Sequence, residues 1–171
     1  MRILGIDPGT HKTAMGSILV QDVGLPKARF VYEGARWFDN GDLRQLVLAP
    51  IRAKAFDLVA IELPEHVTAR DIAAARAMGE ALMGAMRVAG RIEGVCETAA
   101  QRFVMMPSTF WRATLGCTGT RNEKADDRIA RIVPFFVKNM PSVTNKHVRD
   151  ALGVATAAAV RLSPGGRALG L

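Results

Sequence analysis

The first part of the chain alternates short apolar runs with turn residues. Three such runs, at residues 2–7, 14–20 and 28–32, predict three β-strands. The first run ends in Asp-Pro-Gly-Thr at 7–10, a sequence typical of a tight turn. Because the connections between the runs are short, we expect these strands to form an antiparallel meander.

In the rest of the chain, the spacing of apolar residues is helical in some segments and typical of strands in others. Two further apolar runs, at 56–61 and 102–106, predict strands that are buried in a sheet. Apolar residues at helical spacing predict helices over 42–53, 68–98, a short segment from 108, 123–137 and 145–162. This order predicts the α/β class, with a mixed five-stranded sheet flanked by helices on both faces.

The length of the chain predicts a single domain. Its 171 residues are enough to bury one hydrophobic core, so residues 1–171 are interpreted as one domain, with about 163–171 as a loose tail. The apolar stretches are interrupted by charge, and the N-terminus lacks a signal-peptide layout, so no membrane partner is expected. Cys96 and Cys117 have no metal-ligand spacing and are interpreted as reduced thiols, which favours the cytoplasm.

The net charge indicates a polyanionic partner. A formal charge of +7 favours nucleic acid, although a merely basic protein has the same composition. Arg121 and Lys124 flank the expected end of the sheet and are the preferred phosphate contacts. Three further candidates for DNA binding are Lys12, Arg112 and Lys146.

Two acidic residues stand at the carboxyl ends of apolar strands. Asp7 follows the first predicted strand and Glu62 follows the fourth. Taken alone, each is more often a strand-end or turn residue. A charged carboxylate beside buried strands is nevertheless costly unless it is paired, hydrogen-bonded or bound to metal, so the pair together indicates a site.

A third acidic position lies on the last predicted helix. His147 and Asp150 are three residues apart, so a helix places them on the same face. Taken alone, a His and an Asp near a helix start are more often capping residues. With Asp7 and Glu62 they form an oxygen-rich set that suits Mg²⁺ or Mn²⁺, and two such ions can cleave a phosphodiester.

Four segments carry a resemblance to a known family. ILGIDPGT at 3–10, VAIELP at 59–64, NEKADDRIARIV at 122–133 and HVRDALGVATAAA at 147–159 occur in this order. They resemble the signature segments of the RuvC-type Holliday-junction resolvases, which have the ribonuclease H-like fold. The resemblance spans nearly the whole chain. Its His-x-x-Asp-Ala-Leu helix together with Glu62 is more specific than the Asp-Pro-Gly-Thr turn.

The resemblance implies a function and a set of site residues. It implies a homodimeric, divalent-metal-dependent endodeoxyribonuclease that cuts four-way or otherwise branched DNA. Asp7, Glu62, His147 and Asp150 would be catalytic and metal-binding, holding two Mg²⁺ or Mn²⁺ ions, and Lys124 would contact phosphate near the scissile bond. Residues 63–66 and 117–123 depart from the family pattern, which suggests a divergent member, phage- or prophage-borne, with altered junction selectivity.

Two alternatives stay open. The RuvX/YqgF family of RNA-processing nucleases has a similar first strand but usually lacks an acid at the position of Glu62. A catalytically silent nucleic-acid-binding module of the same fold is opposed only by the presence of every expected acid. An actin-like ATPase or sugar kinase requires two such domains, for which 171 residues are too few.

Most large apolar side chains are expected inside the protein. Aromatic residues make up 6% of the chain, too few for extensive base stacking. Trp37 and Phe135 are among those predicted in the core, and Met78, Met83 and Met86 are predicted in the core or a dimer interface.

Overall fold

The computed structural model describes residues 1–21, 29–63, 72–120, 123–142 and 145–162. Four sequence-based predictions fall outside these ranges. They concern the predicted phosphate contact Arg121, the start of the third strand at 28, the start of the long helix at 68 and the loose tail at 163–171. Side chains at 72–75, 77 and 78 are likewise not described, so the prediction for Met78 is not tested.

A mixed six-stranded sheet forms the centre of the protein. Its order is β5-β4-β1-β2-β3-β6. The strands are β1 Arg2–Pro8, β2 Lys12–Gln21, β3 Arg29–Asp39, β4 Leu58–Leu63, β5 Phe103–Pro107 and β6 Val137–Lys138. β2 runs antiparallel to both of its neighbours, β1 and β3, and β4 and β5 run parallel to β1. The predicted α/β architecture with helices on both faces is therefore confirmed.

The predicted count of five strands is too low by one. The additional strand, β6, has only two residues, and it pairs in parallel with Phe30 and Val31 at the start of β3. Two residues are too few to produce an alternating pattern that sequence analysis can detect. The predicted third strand is also too short, since β3 continues to Asp39.

Five α-helices accompany the sheet in the described ranges. They are α1 Ala49–Arg52, α2 Ile72–Thr98, α3 Ser108–Thr114, α4 Ala125–Phe136 and α5 Lys146–Leu162. The helix predicted over 42–53 is instead a 3₁₀ turn, a π-helical segment at Arg44–Leu48 and the short α1. Pro50 has no N–H to donate to the carbonyl of Leu46, so a continuous α-helix is unfavourable there. Within the described ranges, no helix has the length and apolar character needed to cross a membrane.

Strand alternation divides the core into two halves. Ile3 on β1 and Leu58 and Ala60 on β4 pack on the side of α3, α4 and α5. Their neighbours Leu4 and Val59 pack on the opposite side against residues of α1 and α2. Because side chains alternate along a strand, this division also determines which face the residues at the strand ends occupy.

Two glycines allow α5 to lie unusually close to the sheet. A Cβ at Gly5 on β1 would overlap the carbonyl oxygen of Ala151. A Cβ at Gly16 on β2 would lie 2.6 Å from Leu152 Cδ2. The absence of a side chain at these positions therefore brings the first turns of α5 close to the ends of β1 and β4.

Candidate active site

Asp7 and Glu62 lie side by side at the carboxyl ends of two parallel strands. Ile6 of β1 pairs with Ile61 of β4, so the residues that follow them are adjacent. Because side chains alternate along a strand, Asp7 lies on the same face as Ile3 and Gly5 of β1, and Glu62 lies on the same face as Ala60 of β4. This face packs against α5. The sheet therefore presents two carboxylates on the face that α5 covers.

The first turns of α5 supply the other two residues. The Asn145 side chain caps this helix, since its Oδ1 accepts hydrogen bonds from the N–H of His147 at 2.9 Å and of Val148 at 3.3 Å. The helix then places His147 and Asp150 one turn apart. The His147 Nδ1 lies 2.8 Å from Asp7 Oδ2.

Three carboxylates form a compact cluster. One oxygen from each of Asp7, Glu62 and Asp150 lies within 4.8 Å of the others. Glu62 is 5% exposed and Asp150 is 7% exposed, so water screens their charges poorly. The structure thus brings together three of the four predicted site residues directly, and His147 joins them through Asp7.

The cluster raises the pKa of two of its members. Burial, with the nearby charge of Asp7, raises the pKa of Glu62 to about 8. The same two causes raise the pKa of Asp150 to about 7, although the Arg112 guanidinium, 3.8 Å away, opposes the shift. In the metal-free protein, one or both of these carboxyls therefore hold a proton near neutral pH.

Glu62 has a hydrogen bond at only one of its oxygens. The Ser108 hydroxyl, at the start of α3, donates to Oε1. Oε2 is buried and has no hydrogen-bond partner among the described residues. The nearby Trp111 N–H lowers the pKa of Glu62, but it does not have the geometry of an ordinary hydrogen bond. A buried carboxylate oxygen without a partner calls for an explanation, and a bound cation is one.

His147 is held by two different contacts. Its hydrogen bond to Asp7 raises the pKa of the imidazole, against the effect of partial burial. Its ring also stacks on Trp37, with centroids 6.2 Å apart and planes 9° from parallel. The Lys12 ammonium lies 4.3 Å from the centroid of the same indole.

A polar network holds the turn that follows Asp7. The Asn40 amide donates to the carbonyls of Gly9 at 2.9 Å and Thr10 at 3.0 Å, and its Oδ1 accepts from the buried Thr13 hydroxyl at 2.6 Å. On the other side, the Thr10 hydroxyl donates to the carbonyl of Ala81 on α2 at 2.8 Å. Both contacts restrict the chain immediately beyond Asp7.

Four of the five predicted DNA contacts lie in the described ranges, and their surroundings differ. Lys12 lies over Trp37 and 3.9 Å from Asp39. Arg112 faces Asp150. Lys146 is exposed at the start of α5, and Lys124 is exposed at the residue that precedes α4. Lys12 and Arg112 thus contact side chains of the protein as well as being candidates for phosphate binding.

Two residues that contact the site, Ser108 and Asn40, were not predicted from the sequence. Ser108 contacts Glu62 because β5 pairs in register with β4, a relationship that becomes readable only when the strand order is known. Asn40 is distant in sequence from the turn that it supports. Neither residue type carries a signal of its own at these positions.

The prediction that large apolar residues lie in the core is wrong for Trp37, which is 44% exposed, and for Phe135, which is 86% exposed. Met83 at 56% and Met86 at 39% are also exposed, so they do not lie in the core, and their placement in a dimer interface stays a prediction. Phe135 lies in the last turn of α4, where the buried face of the helix is formed by Ile129 and Val133. Helical spacing identified apolar residues, but it could not show which part of each surface the sheet covers.

The donor set defines what the site can do. Three carboxylates and one imidazole are ligands that hold Mg²⁺ or Mn²⁺, and a cation beside the cluster would offset the repulsion among the acids. The unpartnered Oε2 of Glu62 fits such a ligand role.

Structural comparison finds similar solved proteins. RuvC of Thermus thermophilus is 19% identical, with a TM-score of 0.60 over 94% of this chain and 95% of that one. The same protein in complex with a Holliday-junction substrate is 20% identical, also with a TM-score of 0.60, over 94% of each chain. The resolvase of fowlpox virus with Holliday-junction DNA is 12% identical, with a TM-score of 0.53 over 95% of this chain and 99% of that one.

Sequence comparison gives no match. No family model matches the chain, and no curated protein matches it at a significant level. The structural similarity extends over nearly the full length of both RuvC and the poxvirus resolvase. This chain has the ribonuclease H-like fold of the RuvC-type resolvases.

Proposed function

We propose that this protein is a divalent-metal-dependent endonuclease that cuts branched DNA. The observation that carries the proposal is the cluster of Asp7, Glu62 and Asp150, whose ligand oxygens lie within 4.8 Å of one another at the end of the sheet. Buried carboxylates packed this closely repel one another and are destabilising in a merely structural role. A bound cation would offset this repulsion.

The residues present fit Mg²⁺ or Mn²⁺. Asp7, Glu62 and Asp150 would hold the metal, with His147 as an additional ligand or as a proton-handling group. When bound, one or two such ions lower the pKa of water and stabilise charge on a phosphodiester. The Glu62 Oε2 is buried without a hydrogen-bond partner among the described residues, and a bound cation would satisfy it.

The side chains around the metal ligands would position and protonate the substrate. With its Nδ1 on Asp7, His147 has Nε2 on the opposite edge of the ring, where it can accept or donate a proton. Lys12, Lys124 and Lys146 would bind the DNA backbone as point charges. Arg112 would balance the charge of Asp150 and contact phosphate from the same position.

The substrate class is inferred from charge and fold together. The chain carries a net charge of +7, which favours a polyanion. The structures it resembles were determined with Holliday-junction DNA in two cases. We infer that four-way or related branched DNA is the substrate and that a homodimer would present two such sites to symmetric strands.

The test is cleavage of a labelled four-way DNA junction beside a linear duplex of the same sequence. Wild type, Asp7→Asn and Glu62→Gln are compared in Mg²⁺, in Mn²⁺ and in chelator. The matched control is Glu97→Gln, an exposed glutamate near the end of α2. We expect metal-dependent nicks in the junction from wild type and the control, and a loss of at least about a hundredfold in the two site variants.

The outcomes separate the possible activities. Cleavage of forks and flaps as efficiently as four-way junctions would broaden the substrate to branched DNA in general. Cleavage of structured RNA alone would replace the proposal by an RNA-processing nuclease. Binding of junctions without cleavage under any metal would make the protein a silent binding module.

A further inference from the structure

Trp37 is placed beside the candidate active site by an irregularity in β3. Ser17 of β2 pairs with Gly34, but the next residue, Ile18, pairs with Tyr32, so Glu33 is an extra residue in β3. Such a bulge changes the phase of the side chains along a strand. Tyr32 packs on the α5 side before the bulge, and Ala35 packs on the same side after it.

The change of phase turns Trp37 towards His147. Trp37 is in step with Ala35 and pairs with Ala14, which also lies in the core on the α5 side. In a regular strand, Tyr32 and Trp37 are five residues apart and would face opposite sides of the sheet. The bulge therefore lets Tyr32 and Trp37 lie on the same face of the sheet. Tyr32 packs against the core there, and the Trp37 indole lies against the His147 imidazole.

The stack on Trp37 restrains the plane of the His147 ring, which the hydrogen bond to Asp7 does not. One bond from Nδ1 to Asp7 fixes the position of a single ring atom, and the imidazole can still rotate about that contact. The His147 side chain is 45% exposed, so packing by the core restrains it only in part. A ring nearly parallel to the indole, at 9°, has its plane defined as well.

The indole is itself restrained by a cation. Lys12 precedes Ala14 by two residues on β2, so its side chain is on the same face of the sheet as Trp37. Its Nζ lies 4.3 Å from the indole centroid and 3.9 Å from Asp39. A cation–π contact of this kind stabilises a partly exposed ring. Lys12, Trp37 and His147 thus form a continuous series of contacts that leads to Asp7.

We propose that Trp37 is a positioning residue, which holds the plane of the His147 imidazole so that Nε2 faces the reacting phosphate. The inference rests on the proposed nuclease function for its catalytic consequence. The orientation itself rests on the stack and the bulge. Trp37 acts through His147 and is not itself placed on the reacting atoms.

The first test uses the nuclear magnetic resonance of His147 and needs no activity. The chain has three histidines, so comparison of wild type with His147→Asn assigns the ring resonances of His147 in the Mg²⁺-loaded protein. The ring current of an indole shields protons above its face and deshields protons beyond its edge, so a stacked indole displaces the imidazole resonances. We expect Trp37→Leu to shift the His147 ring resonances and Trp37→Phe, which retains an aromatic face, to shift them less.

The second test separates rate from binding. On a four-way junction, we expect Trp37→Leu to lower kcat by roughly ten- to hundredfold with little change in KM, because misplacement of a reacting group reduces rate. Trp37→Phe should restore most of the rate. The control is Phe135→Leu, which removes an exposed aromatic residue from α4 and should change neither quantity.

The two tests fail in distinguishable ways. Unchanged His147 resonances in Trp37→Leu overturn the inference whatever the activity. A raised KM with unchanged kcat also overturns it, since Trp37 would then be a contact to DNA. If wild type cleaves no nucleic acid, the proposed function fails, while the resonance shifts still decide whether Trp37 stacks on His147.

Discussion

Gly5 on β1 and Ala151 on α5 approach so closely that any side chain on Gly5 would overlap the Ala151 carbonyl oxygen. This contact lies two residues before Asp7 on the strand and one residue after Asp150 on the helix. The separation between two members of the carboxylate cluster is therefore determined by a backbone contact beneath them.

The first prediction concerns this contact. Gly5→Ala should displace α5, lower the free energy of unfolding by at least about 1–3 kcal/mol and reduce cleavage, because overpacking forces backbone shifts. Urea denaturation and the junction assay measure the two effects. The control is Gly90→Ala on the exposed side of α2, where a Cβ has open space, and we expect stability there to rise by roughly 0.5–1 kcal/mol. Unaltered stability of Gly5→Ala would show that α5 does not depend on this glycine.

The second prediction concerns pH and metal. The pKa of Glu62 is raised from 4.5 to about 8 and that of Asp150 from 3.8 to about 7, so the folded protein binds more protons than the unfolded chain between these values. In chelator, the free energy of unfolding should consequently fall as pH rises from about 4 to about 8. Mg²⁺ should raise Tm, and by more at pH 8 than at pH 5.5, since it binds the ionised carboxylates.

A non-ionisable residue tests the origin of this pH dependence. In chelator, Glu62→Gln should be more stable than wild type at pH 8 and close to it at pH 4, because the amide carries no charge to bury. The variant should also lose most of the gain in Tm on addition of Mg²⁺. Thermal unfolding followed by circular dichroism gives all of these values, with Glu97→Gln as the isosteric control. A wild-type Tm that is independent of Mg²⁺ at every pH would contradict the metal assignment.

Much of the site could be predicted because its main signals are local. Asp7 and Glu62 each follow a continuous apolar run, and His147 and Asp150 have helical spacing. The parallel pairing of β1 with β4 then brings the first two together without further information. These four positions depend only on strand ends and one helix face, which periodicity identifies.

The remaining features depend on long-range register. Asn40 and Ser108 contact the turn after Asp7 and the Glu62 carboxylate only because of strand order. The apolar run that predicts the third strand ends at Tyr32, directly before the bulge residue Glu33, so it does not indicate that β3 continues to Asp39. The two-residue β6 is too short for any periodicity to indicate it.

The third prediction concerns Asn40. Asn40→Ala removes two hydrogen bonds to the turn after Asp7 and one from the buried Thr13 hydroxyl. We expect the free energy of unfolding to fall by about 1–3 kcal/mol and cleavage to decrease, because the turn loses its support. A double-mutant cycle with Thr13→Val isolates the Asn40–Thr13 bond, and strictly additive effects would show that this bond contributes nothing.

The fourth prediction concerns Arg112, which is 3.8 Å from Asp150 and lowers its pKa. Arg112→Met should lower Tm in chelator at pH 8, because the buried Asp150 loses a compensating cation. The gain in Tm on adding Mg²⁺ should then be larger than in wild type. Arg131→Met, which removes an exposed arginine paired with Glu123, is the control and should leave the Mg²⁺ effect unchanged. An equal Mg²⁺ effect in Arg112→Met and wild type would contradict this coupling.

The bulge at Glu33 has a consequence for the comparison of distant homologues. Because Glu33 is an extra residue in the pairing of β3 with β2, a homologue could lack it and keep both halves of the strand in place. In such a protein the counterpart of Trp37 would lie one position nearer to the start of the strand, and an ungapped alignment would match it with Arg36. The start of β2, which follows the Asp-Pro-Gly-Thr turn, pairs regularly with the end of β3. The counterpart of Trp37 is therefore better found by counting along β2 from that turn.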